Sequence, residues 1–151
     1  MATNRAPDQE PPLTGRAQRI ADLLKRVLRD LDDLDVLDES PLKGLIPAVR
    51  VVAVQYRNQP WAEAAALRTL IRGCLQQFVN WAHESGSTRL QAQAATVGIY
   101  IADEKDWRRH TMADLARRLG RSRQAMYRLR DEALRQVAYL LIQYRPLPDS
   151  P

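Results

Sequence analysis

Between Thr111 and Arg130 the chain reads TMADLARRLGRSRQAMYRLR, a pattern that fits two short helices joined by a tight turn and little else. Leu115 and Leu119 stand four apart on the first helix, and Ala116 is a small residue where a second helix must cross closely. Gly120 supplies the left-handed backbone that ends a helix, and Ser122 is placed to cap the next one through its hydroxyl. Met126 and Leu129 then turn inward onto Leu115 and Leu119. Four inward positions, one small crossing residue, one glycine and one cap agree on a three-residue turn between helices.

The second helix leaves Arg123, Gln124, Tyr127 and Arg128 on the face opposite Met126 and Leu129, near its N-terminus. In a helix-turn-helix that end reaches the major groove. Arginine can grip guanine O6 and N7, and glutamine adenine N6 and N7, each pair being worth about 1–3 kcal/mol of discrimination. Tyr127 suits a phosphate, a thymine methyl or packing on a neighbouring helix. Arg109, Arg118, Arg121 and Ser122 complete the expected DNA-facing set, and His110 suits a phosphate or solvent contact.

Charge points to the same place. From Trp107 to Arg135 there are nine arginines against three acids, which gives +6, whereas the whole chain carries +5. Everything outside the window therefore sums to −1, so the basic excess is concentrated on the motif. Solvated helix faces account for single arginines but not for that concentration.

The run SRQAMYRLRDEALRQV, from Ser122 to Val137, resembles the recognition helix of region 4 of bacterial sigma factors: Ser122, Met126 and Leu129, then Ala133, Leu134 and Arg135. Leu115, Ala116, Leu119 and Gly120 match the preceding helix of that family, and Val97 to Ile101 its supporting helix. The similarity covers about Gln91 to Leu141, a third of the chain. It implies a small all-helical domain without a wing, contact with upstream promoter DNA, and RNA polymerase as a partner. No segment resembles the sigma region that melts promoter DNA, which needs exposed aromatics on a basic helix, and the chain has one Phe. The leucine helix AEAAALRTLIRGCLQQFV is also similar to helical modules of some bacterial signalling proteins.

Ahead of the motif, Ile20, Leu24, Val27, Leu31 and Leu34 alternate four and three apart, with Leu23 and Leu28 widening the stripe, so a helix is expected from about Thr14 to Leu37. It would pack within the chain or against a second copy. Asp30, Asp32, Asp33, Asp35, Asp38 and Glu39 close it, an arrangement that opposes the helix dipole unless solvent or a basic surface compensates. Such a surface could be the arginine-rich motif, with which the acids would compete for DNA; a solvated face is the plainer alternative. Ser40 and Pro41 suit a helix start. Val49, Val51, Val52 and Val54 fit a helical face or an alternating strand, and helix is preferred because no second strand exists to pair with. From Trp61 to about His83 the apolar residues cover more than half of a helix. That helix is expected to be the core on which the N-terminal helix and the helix-turn-helix pack.

The expected organisation is an all-α helical bundle with a wingless helix-turn-helix: a tail over 1–13, a helical packing region over 14–88, the motif domain over 89–144 and a tail over 145–151. The last helix is longer than any groove requires. Its stripe Met126, Leu129, Ala133, Val137, Leu140, Leu141 and Tyr144 either closes the core or pairs two copies, and a homodimer through the N-terminal or C-terminal helix would read two half-sites.

Enzymatic chemistry has little footing. The two histidines, His83 and His110, have no partners at ligand spacing, and no glycine-rich phosphate loop or nucleophile grouping occurs. No catalytic residue, metal or cofactor is expected. Cys74 is the single cysteine and sits among apolar residues, which suits a buried hydrophobe in a reducing compartment. No apolar run approaches about 20 residues and the N-terminus lacks a secretory pattern, so a cytoplasmic protein without membrane contact is expected. Two functions follow. One is a sequence-specific regulator bound to double-stranded DNA. The other is a helical adaptor in a bacterial signalling or RNA polymerase-associated system that does not touch DNA.

Overall fold

The computed structural model describes residues 10–100 and 112–144, with side chains from residue 15 onward. It is all-helical, with no strand among the described residues. The elements are α1 (Glu10–Val27), α2 (Leu34–Glu39), α3 (Leu42–Leu45), α4 (Ala48–Ala53), α5 (Ala62–Ser85), α6 (Thr88–Gly98), α7 (Met112–Leu119) and α8 (Arg123–Gln143), with 3-10 turns at Leu28–Asp30 and Val54–Tyr56.

Helix α1 includes Glu10–Leu13, residues of the segment assigned from composition to a tail. The helix also stops ten residues short of the expected Leu37. The acid-rich run ends it: after the 3-10 turn the Asp33 N–H donates to the Asp30 carbonyl, and the Asp33 carboxylate accepts from the N–H groups of Asp35 and Val36 at 3.1 and 3.4 Å, capping α2. Asp33 is thus at a helix start rather than a helix end, which reverses the sign of its interaction with the peptide dipoles. Asp32 pairs with Arg72 of α5 at 2.6 Å, and Asp38 with Lys43 of α3 at 2.9 Å. Neither of these acids pairs with the arginines of α7 or α8.

The valine-rich segment is helical as α4, with Val49 and Val52 buried. Helix α5 carries the expected apolar face, burying Ala64, Leu67, Leu70, Ile71, Cys74, Leu75, Phe78 and Ala82. Trp61 lies outside that face, exposed at the position before the helix. Gly86 (φ 70°) ends α5 in the left-handed conformation, and the Ser87 hydroxyl accepts from the Leu90 N–H to start α6 two residues later.

Partnership differs from expectation. Helix α5 packs against α2, α4, α6 and α8, while α1 lies along α8, and α7 packs on α6 and α8. The main core unites α1, α2, α4, α5 and the second half of α8, through Ala133, Leu134, Val137, Ala138, Leu141 and Ile142. The stripe of α8 considered for dimerisation therefore closes the core of a single chain, and so does the α1 seam of Ile20, Leu24, Val27 and Leu31. A second, smaller core gathers Ala92, Met112, Leu115, Ala116, Met126 and Leu129, with Ile99 packed against it. One continuous helix, α8, supplies side chains to both.

Cys74 is buried in the main core, and loss of hydration pushes its thiol up from 9.0 to about 11. Since only the thiolate is nucleophilic, iodoacetamide at pH 8 is expected to label the native protein far more slowly than the denatured one. Above about pH 9 the unfolded chain loses this proton before the folded chain does. Stability from this group is therefore present below pH 9 and lost as pH rises through about 11.

Candidate nucleic-acid interface

The surface in question is built from the turn upward. At the end of α7 the Gly120 N–H donates to the Arg117 carbonyl at 3.3 Å and the Arg121 N–H to the Ala116 carbonyl at 2.9 Å, the paired bonds of a Schellman ending. They require the left-handed conformation at Gly120, whose φ is 64°. Ser122 follows as an extended residue whose hydroxyl accepts from the Ala125 N–H at 3.0 Å, which starts α8. The turn is thus three residues long, and its two capping devices are those that the glycine and the serine foretold.

Beneath it, Leu115, Ala116, Met126 and Leu129 are buried together as expected. Leu119 is not: 41% of its surface is exposed. It belongs to the last turn of α7, beyond the crossing with α8. It lines an apolar cleft of about 400 Å³ with Val79 and His83 of α5, Ala94 of α6 and Ile99 just beyond that helix.

Outside, Arg118, Arg121, Ser122, Arg123, Gln124, Tyr127 and Arg128 are all exposed. Arg109 and His110 lie outside the described residues. Tyr127 has a neighbour that spacing alone did not indicate: the guanidinium of Arg130 sits 4.9 Å from its ring centroid, a cation–π contact that holds the ring beside the helix. Arg130 in turn approaches Asp131, which also receives Lys25 of α1 at 3.2 Å. These ties anchor one flank of α8 to the bundle.

The other flank meets α6. One guanidinium nitrogen of Arg89 donates to both carboxylate oxygens of Glu132, at 2.7 and 2.6 Å, and the Gln93 amide donates to the same carboxylate at 2.9 Å. Arg89 and Gln93 were not among the sequence candidates. Both are about 40 residues from Glu132 along the chain, a separation that helical periodicity does not bridge.

Electrostatically the start of α8 is unusual. A helix N-terminus carries a partial positive charge and favours acids, each worth about 0.3–1 kcal/mol there. The first turn of α8 has no acid; Arg123 opens it, and Arg121 stands just before the capping Ser122. Whereas Arg117 is paired with Asp114, Arg118, Arg121, Arg123 and Arg128 form no ion pair with any described residue. Unpaired cations at the positive end of a helix cost stability. Binding of an anion would reverse that cost. Among the described residues, no group of three or more His, Cys, Asp and Glu could hold a metal ion, and no helix is long and apolar enough to cross a membrane.

Comparison of the chain with protein-family models, with curated proteins and with solved structures finds no match.

Proposed function

We propose that this protein is a sequence-specific DNA-binding transcriptional regulator in which α7, the turn and α8 act as a wingless helix-turn-helix, α8 entering the major groove. The observation that carries this is the start of α8: Arg121, Arg123 and Arg128, exposed and without an ion pair among the described residues, stand on a turn with glycine and serine caps over a six-residue core. Arg123 and Gln124 are the base readers, and Arg118 and Tyr127 adjoin the backbone. Double-stranded DNA is the partner, and the role is binding rather than catalysis. The resemblance to sigma region 4 adds RNA polymerase as a second partner, and the absence of a long apolar run or secretory pattern in the sequence adds a cytoplasmic setting. A homodimer on a symmetric site would have to form through surface other than the two apolar stripes, which are covered within one chain.

Selection of bound sequences from random duplexes tests this directly. The wild-type chain is expected to enrich a defined site, and Arg123→Ala with Gln124→Ala to lose about 30-fold or more of the preference for it while keeping the thermal midpoint, since each of the two bidentate pairs carries about 1–3 kcal/mol. Absence of enrichment by the folded wild-type chain overturns the proposal. The second reading, a helical adaptor that does not touch DNA, is favoured by one observation, the exposed Leu119 at the mouth of the apolar cleft between α5, α6 and α7. Enrichment of no DNA together with loss of a protein partner on Leu119→Ser would establish it instead.

A further inference from the structure

Where the N-terminal part of α6 passes the turn, a cleft of about 220 Å³ opens, lined by Arg89 from α6, Arg121 from the turn, and Ala125, Arg128, Leu129 and Glu132 from α8. Its lining thus includes three arginines and one carboxylate. That carboxylate is already engaged by Arg89 and Gln93, which leaves Arg121 and Arg128 without an anionic partner among the described residues. At about 30 Å³ per water molecule the cleft holds several waters, or one phosphate group with a remainder of its hydration. Guanidiniums are suited to such a guest, because their planar N–H forks match phosphate oxygens two at a time.

We infer that this cleft is the seat of a single backbone phosphodiester of duplex DNA, clamped between Arg121 and Arg128 with Arg89 completing the cage from the neighbouring helix. The inference rests on the DNA-binding proposal above and refines it. It moves Arg128 from base reading to phosphate binding, and it adds Arg89, which no helix-turn-helix spacing would nominate. Three separate elements converge on one phosphate, so binding there sets the angle at which α8 lies in the groove. Base discrimination is then left to Arg123 and Gln124. Glu132 has a double part: it holds Arg89 in place, and its charge opposes an anion in the cleft, keeping non-specific attachment weak.

The test uses the full chain, its selected duplex and a random duplex, with affinities measured by fluorescence anisotropy over a salt series. Arg121→Ala removes an exposed, unpaired side chain and is expected to weaken both duplexes equally, by roughly three- to tenfold, and to reduce the salt slope by about 1. A set of duplexes carrying one neutral methylphosphonate each locates the contact. Wild type loses affinity at one particular phosphate, and Arg121→Ala and Arg128→Ala lose little more at that same phosphate, as coupled partners must. Arg89→Gln behaves likewise. Glu132→Gln breaks the same α6–α8 ion pair but is expected to raise affinity, so a fall with both Arg89→Gln and Glu132→Gln would mean that Arg89 merely fastens the helices and would overturn its place in the cage. If the chain binds and discriminates DNA while Arg121→Ala changes neither affinity nor slope, or if the variants respond at different phosphates, the seat is refuted and the regulator proposal stands. If the folded wild-type chain binds no duplex, both fall together.

Discussion

Met126→Ala is expected to destabilise the chain by about 2–5 kcal/mol, measured by urea denaturation, and to abolish the recognition surface before it melts the bundle. Met126 is fully buried, and it is the largest fully buried side chain of the small core formed with Ala92, Met112, Leu115, Ala116 and Leu129. A core of six residues has few neighbours able to relax into the space left behind. The main core does not depend on it, because Leu134, Val137 and Leu141 of the same helix are buried elsewhere. Amide exchange should therefore show early opening of α7 and the start of α8, with α5 still protected. Leu134→Ala should instead lower the stability of the whole chain, with amides in both regions opening together. Equal loss of protection everywhere in the Met126 variant would show that the two cores are one cooperative unit.

The second large effect is ionic. If α8 and its surroundings neutralise about five phosphates, the logarithm of DNA affinity should fall against the logarithm of salt concentration with a slope of about −4.5, which is roughly 500-fold between about 50 and about 200 mM salt. Arg118, Arg121, Arg123 and Arg128 are exposed and form no ion pair with a described residue, so none has to leave a partner before it meets DNA. Arg117 does, being tied to Asp114, and should contribute less. A slope near zero with retained binding would point to an apolar contact, for which the cleft beside Leu119 is the available surface.

What was legible in the residues was mostly local. A glycine four positions after Ala116 and a serine two positions later specify a helix end and a helix start through bonds within a few residues of themselves, and those bonds are present. The inward placement of Leu115, Met126 and Leu129 follows from the same short range. Leu119 fails because inward periodicity says which side of a helix a residue occupies, not whether a neighbour extends that far. The α1 stripe was equally visible, but an apolar stripe carries no address: α1 lies along α8, where Lys25 also pairs with Asp131, within a core it shares with α5. The break after Val27 was hidden by leucines that continue in register through Leu31 and Leu34, while Asp33 decides the matter by capping. Arg89 was invisible for the same reason as any long-range partner. Its importance comes from Glu132, 43 residues away.

Because α8 runs unbroken through both cores, the direction in which its exposed start points is locked to the bundle like the phase of a screw. Each residue advances a helix by about 100°. Inserting a single alanine between Arg130 and Asp131 would swing Gln124 and Arg128 about a quarter-turn relative to Leu134 and Val137, whereas seven inserted residues would nearly return them to their original bearing. Length in the middle of this helix is consequently under tighter constraint than the identity of its solvent-facing side chains.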